Sequence, residues 1–340
     1  MNSYLAQHRR LFLAQLPIAA ISVGILIWRV DILEGFRGLS GVQPGWIVLG
    51  LVTFTFSKMI HAYRWRLLLQ HRDVPLPPLL GIFLVSNLAN ALVPFRAGDL
   101  IRIELPSRLL KLPRAELASN VLVVESIFDG LAFALLAITA AIFIGDPLFA
   151  LPVTIIVLTL ISIGFAGLST IARLQIPEDP QQSALLRRLP SRWHEPAARL
   201  ARQFIMGMTS LRHRRSIAGA ILVSVVAWMG EVIVYWMLGQ AFGFHLSLGE
   251  AIVLMIAANL IVSIPITPWD FGPYEIAVTE AFVLLGGDRV EASIYAVGSH
   301  LLLLAWITVS GGIAMLALSL RPSEVLRAVE PGQSEQHSEH

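Results

Sequence analysis

Two carboxylates lie one helical turn apart in an otherwise apolar stretch of this sequence. Glu125 and Asp129 are spaced i and i+4, which places both side chains on one face of a helix. Two carboxylates this close repel each other unless one is protonated or a cation lies between them. The pair therefore predicts a buried ion network, or a site that binds a polar headgroup or carries a proton.

The candidate cations follow a proline that interrupts an earlier apolar segment. Pro94 is followed by Arg96, Gly98, Asp99 and Arg102. Arg96 can hold a phosphate or a carboxylate through two parallel hydrogen bonds. Gly98 allows a sharp turn, and Asp99 is expected to begin a returning helix, where negative charge is favourable. We predict that Arg96 and Arg102 lie near the acid pair and contact substrate.

A second apolar segment is interrupted in a similar way. Pro265 and Pro268 break it, and Gly272 and Glu275 follow. Lipid cannot hydrogen-bond a broken backbone, so such breaks are stable only inside protein or beside a water-filled cavity. Interrupted segments at corresponding positions of two halves point to the binding site of a transporter. Glu275 matches Asp99 in position, and we predict that it is a further substrate contact.

Other polar side chains in the apolar segments extend the predicted site. Asn87, Asn90 and Asn259 precede the two breaks, where amides would satisfy freed backbone groups or contact substrate. Glu231 has no charged neighbour in sequence, so it is either protonated or paired with a distant residue such as His300. Proton coupling is the predicted role of Glu231 and His300.

Composition places these residues in a polytopic membrane protein. Of the 340 residues, 56% are hydrophobic and only 14% are charged, whereas soluble domains carry about 25% charged residues. There is no cysteine, and the scattered histidines predict no metal site. No nucleophile elbow or phosphate loop is present, so we expect neither catalysis nor a bound cofactor. The basic residues flank apolar segments, which indicates membrane topology rather than a nucleic-acid partner.

We predict an all-α helical bundle with six full membrane spans and two re-entrant helical hairpins. A span needs about 20 apolar residues, and the qualifying segments are roughly 11–30, 45–63, 116–144, 148–172, 217–240 and 293–319. The hairpins are predicted near 78–110 and 249–286. Loops rich in Lys and Arg are expected to be cytoplasmic, as are both termini, and this rule assigns Arg64 and Arg66 to an inner loop.

The order of the segments predicts an inverted repeat within one integral membrane domain, residues 1–320. Residues 45–144 and 217–319 each contain a span, a hairpin and a span, and the two hairpins open to opposite sides, as in many secondary transporters. The loop at 174–216 is basic and is predicted to be cytoplasmic. The polar tail at 321–340 is predicted to be disordered.

The two interrupted motifs resemble a known family. They are similar to the flippase-like transmembrane domain of lysylphosphatidylglycerol synthases, also called UPF0104 membrane proteins, over roughly residues 10–320. The matching residues are Pro94, Arg96, Gly98, Asp99, Glu125, Asp129, Pro265, Pro268, Phe271, Gly272 and Glu275. The resemblance implies translocation of a phospholipid or another polar-headed lipid across the cytoplasmic inner membrane. Ser126 stands where the family usually has Arg, and His300 lies near a position where Arg is common.

Several functions fit these observations, and a lipid transporter is the leading expectation. A secondary transporter of a small soluble ion or metabolite would use the same cavity. An intramembrane lipid-modifying enzyme and an accessory subunit of a lipid-modifying partner are further alternatives. Because the chain has no soluble aminoacyl-transferase domain, we expect a transporter rather than an enzyme. Without a nucleotide-binding motif, the driving force is expected to be an ion, proton or lipid gradient. A homo-oligomer is left open.

Overall fold

A computed structural model describes most of the helical bundle. It covers residues 41–69, 73–92, 97–145, 214–264 and 267–329, together with the isolated residues 155, 159, 162 and 166. The predicted spans at 11–30 and 148–172 are not among the described elements, and neither are residues 174–213 of the loop predicted at 174–216. The last three residues of that predicted loop belong to a helix that begins at Arg214. Pro94, Arg96 and Pro265 also lie outside the described residues.

The described ranges contain helices and no strand. The α-helices in chain order are α1 Pro44–Leu68, α2 Leu76–Leu92, α3 Ala97–Leu110, α4 Arg114–Ser119, α5 Glu125–Ile144, α6 Arg214–Ala241, α7 Leu248–Val262, α8 Pro273–Leu284, α9 Arg289–Ala317 and α10 Pro322–Val329. A π-helical turn at Asn120–Val124 joins α4 to α5, and a 3-10 turn at Pro268–Asp270 precedes α8.

Four continuous helices in these ranges are long and apolar enough to cross a membrane. They are Pro44–Leu68, Arg114–Ile144, Ala218–Ala241 and Arg289–Ala317, at the predicted spans 45–63, 116–144, 217–240 and 293–319. The apolar helices α2 and α7 have only 17 and 15 residues. At 1.5 Å per residue they reach about 23–26 Å, short of the roughly 30 Å hydrocarbon core. The all-helical membrane architecture is therefore confirmed at the level of four spans.

The short helices form two packed pairs, α2 with α3 and α7 with α8. Each pair also contacts a long helix from the other half of the chain: α2 packs against α9, and α7 packs against α5. Gly98 allows the first pair to close, because a Cβ atom there would lie 2.1 Å from the carbonyl oxygen of Ser86. The N–H of Gly98 donates to Asn90 Oδ1 at 2.7 Å. Asn90 thus satisfies backbone exposed by the break, one of the two roles considered for it.

Helices α1 and α6 pack closely through small residues. The Ser57 hydroxyl donates to the carbonyl oxygen of Ala227 at 2.8 Å, and a Cβ atom on Gly230 would lie 3.1 Å from that of Ser57. Small side chains let two helix backbones approach within a membrane, where close packing and hydrogen bonds drive association. This contact joins the first long helix of one half to that of the other.

The end of α1 corrects the predicted boundary of the second span. Arg64 and Arg66 lie within the helix, which continues to Leu68, and Arg64 is buried. The assignment of Arg64 to an inner loop was wrong. The rule that basic residues mark cytoplasmic loops treats each Arg as solvent-exposed, and it takes no account of acidic partners on other helices. The Asn120 side chain fixes this end of the helix by donating to the carbonyl oxygen of Leu68 at 2.9 Å.

The region predicted to be a disordered tail begins with a helix instead. Helix α10, Pro322–Val329, packs against α3, and Ala328 is buried in that contact. The N–H of Arg321 donates to Glu324 Oε2 at 2.7 Å at the start of the helix. The tail is polar on average, but apolar residues lie on one side of α10 and pack against α3. The average composition of the tail does not show this apolar side.

Candidate functional site

A cavity of about 450 Å³ lies between the two helix pairs. Its wall is formed by α1, α2, α3, α5, α6, α7, α8, α9 and the 3-10 turn, and α2 contacts that turn directly. The structure brings nine of the predicted site residues to this wall: Asn87, Asn90, Asp99, Arg102, Glu125, Asp129, Glu231, Asn259 and His300. Residues from segments more than 200 positions apart therefore share one polar space inside a largely apolar protein.

Arg64 compensates the two carboxylates of α5. Its guanidinium contacts Asp129 through Nη1, and its Nη2 lies 3.7 Å from Glu125 Oε2. Nη1 also donates to the Ser224 hydroxyl at 3.2 Å. One cation thus lies between two acids that would otherwise repel each other. This is one of the two arrangements that the i, i+4 spacing of the acids allowed.

Arg102 holds the other side of Glu125. Its Nη2 contacts Glu125 Oε1, and its guanidinium lies 4.5 Å from the Trp65 ring and 5.1 Å from the Phe83 ring. Stacking on aromatic faces adds to the attraction of the ion pair, because the ring face is negative. The side chain is buried, so Arg102 fixes the first helix pair to α5.

The two acids of α5 differ in access. The Glu125 side chain is 6% exposed, whereas the Asp129 side chain is 28% exposed. Asp129 Oδ1 accepts the indole N–H of Trp228 at 2.7 Å as well as the Arg64 contact, and Oδ2 has a longer contact of 3.4 Å to Arg64. Asp129 is therefore the acid of this pair with acceptor capacity towards the cavity, and Glu125 is enclosed by its partners.

Glu231 is paired with α1 and not with His300. Lys58 Nζ lies 2.6 Å from Glu231 Oε1, and His61 Nε2 lies 3.1 Å from the same oxygen. The suggested pairing with His300 was wrong. No sequence neighbour of Glu231 is charged, so its partners could be found only from the packing of α1 against α6.

Lys58, His61 and Arg64 form a row of bases that the sequence analysis missed. Their three-residue spacing places them along one side of α1. The signal was present in the sequence, but treating Arg64 as a loop residue concealed it. With Arg102, this row places three Lys and Arg side chains against Glu125, Asp129 and Glu231. Such pairing offsets the cost of a charge within a membrane helix, about 2.5–3.5 kcal/mol for an isolated one.

The second break has unusual backbone geometry. Trp269 and Asp270, which follow Pro268, have φ of 61° and 55°, and Gly272 has φ of 93°. Positive φ is uncommon for residues other than glycine and often marks functional sites. Both Trp269 and Asp270 line the cavity. The break therefore places these two strained residues beside the polar space.

Glu275 lies behind the cavity wall. Its Oε2 accepts the N–H of Gly272 at 2.6 Å, and its Oε1 is 2.6 Å from His300 Nδ1. Both oxygens are engaged and the side chain is buried, so the predicted direct contact with substrate does not fit this placement. Its neighbour His300 does line the cavity, and Glu275 holds that imidazole.

The amides at the breaks have different environments. Asn259 Nδ2 donates to the Met255 carbonyl oxygen at 3.0 Å within α7, and its side chain also lines the cavity. Asn87 lines the cavity too, and its Nδ2 is enclosed with no hydrogen-bond partner in the part of the chain that the structure describes. Asn87 is therefore an amide donor that the described protein atoms do not satisfy.

The residues described by the structure offer no metal centre. They contain no group of three or more His, Asp or Glu side chains placed to hold an ion. Arginine, lysine and histidine instead hold Glu125, Asp129, Glu231 and Glu275.

Replacing Trp228 with phenylalanine should weaken the network at Asp129. The variant loses the indole hydrogen bond but keeps an aromatic ring beside Phe133 and His61. We expect the free energy of unfolding to fall by about 2 kcal/mol, because the lost hydrogen bond is to a charged acceptor. Trp46→Phe is the matched control, since Trp46 packs edge-to-face on Trp236. Equal unfolding free energies for the two variants in mixed micelles would contradict this assignment.

Comparison with known proteins gives two matches that cover most of the chain. The family model described as "Lysylphosphatidylglycerol synthase TM region" matches residues 12–311. A protein from Methanothermobacter thermautotrophicus named "UPF0104 membrane protein" is 24% identical over 317 residues, covering 85% of this chain and 89% of the relative. The family match includes every residue that lines the cavity.

Proposed function

This chain belongs to the lysylphosphatidylglycerol synthase transmembrane family, and from that membership we propose that it moves a polar-headed lipid across a membrane. The single observation that carries the proposal is a polar cavity, lined by paired acids and bases, between two helix pairs that are too short to span. A phospholipid headgroup placed there would avoid the hydrocarbon core, while its acyl chains remain in the bilayer.

The proposed path uses the accessible polar groups of the cavity. Asp129 and His300 line the cavity from separate helices, and Asn87 lines it beside the first break. Arg64 and Arg102 are already paired with the α5 acids, so they hold the helices of the wall together. The headgroup would contact the polar groups of the cavity that are not used in these pairs. Arg96, which precedes α3, stays a proposed contact for a phosphate.

The proposed movement is a change between the two halves of the chain. Each short helix pair packs on a long helix of the other half, α2 on α9 and α7 on α5. These two contacts are equivalent if the halves are repeats of each other. They support the inverted repeat, in which each half could rock against the other around a fixed site. The first and second breaks then open to opposite sides of the cytoplasmic membrane, with both termini in the cytoplasm.

The proposed activity is transport without catalysis. The driving force would come from an ion, proton or lipid gradient, and Glu231 and His300 stay the proposed proton-coupling residues. Glu231 already has Lys58 and His61 as partners, so a proton taken up there would have to be accompanied by separation of α1 from α6. A lipid-modifying partner protein or a second copy of the chain is compatible with this scheme.

A cavity-filling variant tests the proposal in proteoliposomes that contain fluorescent lipids. Gly130 lines the cavity, and a Cβ atom added there meets nothing within 4 Å. Gly130→Trp should therefore reduce lipid translocation at least about tenfold by filling the path, with little effect on the fold. The smaller change Gly130→Ala is the control and should remain close to the original rate.

Two results would contradict lipid transport. One is no acceleration of any phospholipid over protein-free vesicles, and the other is equal lipid rates in Gly130→Trp and Gly130→Ala. Uptake of small soluble ions that Gly130→Trp blocks, with no lipid movement, would instead identify a solute transporter.

A further inference from the structure

The second helix pair contains a buried acid–histidine pair whose hydrogen-bond directions can be assigned. Glu275 Oε2 accepts the N–H of Gly272, and Oε1 lies 2.6 Å from His300 Nδ1. The two side chains are only 4% and 8% exposed. An ionised carboxylate accepts hydrogen bonds and cannot donate them. With Glu275 as the carboxylate and His300 neutral, the hydrogen between the two residues lies on Nδ1 of His300.

This assignment determines what the other imidazole nitrogen can do. In a neutral histidine that carries its hydrogen on Nδ1, Nε2 is an acceptor. Nε2 of His300 has no hydrogen-bond partner among the described residues, and it is not one of their fully enclosed polar atoms. Because His300 lines the cavity, this acceptor is available to a ligand there.

Aromatic neighbours fix the orientation of the imidazole. The ring stacks on Tyr274 with centroids 4.1 Å apart, and Phe271 lies 5.1 Å away. The Tyr274 hydroxyl is in turn 3.0 Å from the Tyr235 hydroxyl and 3.3 Å from the Ser299 hydroxyl. A ring that stacks on Tyr274, contacts Phe271 and is held at Nδ1 has little freedom to turn Nε2 away from the cavity.

Resting on the proposed transport function, we propose that Glu275 is a positioning residue and that His300 selects headgroups carrying an O–H or N–H donor. The exposed part of Asp129 provides a second acceptor on another wall. Headgroups with hydroxyls or a primary ammonium can satisfy these acceptors. A trimethylammonium headgroup has no such hydrogen, so it would leave Nε2 unpaired, and an unpaired buried polar group is costly.

Nitrogen NMR of histidine tests the contact without requiring transport. The full chain, with ¹⁵N-labelled histidine, is placed in nanodiscs of phosphatidylcholine, phosphatidylethanolamine or phosphatidylglycerol. His300→Phe identifies the signal, and exposed His245→Gln is the control. We expect an Nδ1–H tautomer for His300, with an Nε2 signal that moves to a hydrogen-bonded value with ethanolamine or glycerol headgroups. A hydrogen on Nε2, or identical spectra in the three lipids, would overturn the proposal.

Glu275→Gln offers a sharper change at the same site. The glutamine oxygen can still accept the N–H of Gly272, but its amide group donates to His300 Nδ1 and places the histidine hydrogen on Nε2. The acceptor towards the cavity becomes a donor. We expect the ratio of ethanolamine-lipid to choline-lipid translocation to fall about fivefold, the effect of one net hydrogen bond. His300→Phe should show the same loss and serves if Glu275→Gln does not fold.

The two experiments separate failure of the inference from failure of the proposed function. An unchanged headgroup ratio in both variants, with translocation intact, removes the role of His300 and leaves transport in place. Absence of translocation for all three lipids, with a headgroup-dependent Nε2 signal, means that the site binds lipid but does not move it. In that case the positioning role of Glu275 stands and the transport function fails.

Discussion

Replacing Arg64 with glutamine is expected to lower the free energy of unfolding by about 3–5 kcal/mol, the usual cost of removing one partner from a buried ion pair. Arg64 contacts both Glu125 and Asp129 and is itself almost fully buried. Without it, two carboxylates on one helix face lose the cation between them, and Arg102 reaches only Glu125. We therefore expect lipid translocation to be lost as well. Denaturation by SDS in mixed micelles measures the stability.

The neighbouring Arg66 provides the matched control. It lies in the same helix, half-buried, with its guanidinium 5.4 Å from the Tyr63 ring. Arg66→Gln should cost less than about 1 kcal/mol, because exposed cation–π contacts are weak. Combining Arg64→Gln with Asp129→Asn should recover part of the loss, since removing both partners leaves fewer uncompensated charges. Equal costs for the two arginines, or no recovery in the double variant, would refute the network.

Gly98→Ala is expected to open the first helix pair. The new Cβ atom would lie 2.1 Å from the Ser86 carbonyl oxygen and 2.7 Å from Asn90 Oδ1. A clash with backbone cannot be relieved by rotating a side chain, so α3 must move away from α2 and lose the hydrogen bond to Asn90. We expect a loss of several kcal/mol, at the upper end of the effects of single substitutions. Translocation should fall with it.

Gly130→Ala is the matched control for this substitution. Gly130 is also a helical glycine, but it lines the cavity and a Cβ atom there meets open space. Replacing it should stabilise α5 by about 0.5–1 kcal/mol, because alanine favours a helix. The two Gly→Ala variants should thus change the unfolding midpoint in opposite directions. A destabilisation of Gly98→Ala no larger than a few tenths of a kcal/mol would show that α2 and α3 do not pack this closely.

Much of the described fold could be predicted because the membrane restricts what an apolar segment can do. The four spanning helices appear in the sequence as runs of about 20 apolar residues, and the shorter helices lie on either side of prolines. Helix ends were less predictable. Arg64 ends the apolar run by composition, yet α1 continues past it to Leu68. The helix at Pro322–Val329 was missed because its packing against α3 depends on tertiary structure.

It was easier to predict which residues line the site than which acid pairs with which base. A charged side chain within a membrane helix is costly and therefore conspicuous in the sequence. Nine predicted residues do line one cavity. Which acid faces which base depends on how distant helices pack, and neither the Lys58–Glu231 pair nor the Glu275–His300 pair could be read from local spacing. Glu275 illustrates the difference, since its position after the break suggested a contact with substrate and its geometry supports positioning.

The most direct measurement is an experimental structure of the protein in lipid nanodiscs, at a resolution that shows bound lipid. If the protein moves lipid through the cavity, we expect headgroup density inside it, bounded by Asn87, Asp129 and His300. The acyl chains should pass between helices into the bilayer. The opposite result would be lipid only on the outer surface of the bundle, and a cavity that is closed to the bilayer and holds only water or small ions. That result would contradict lipid transport through the cavity.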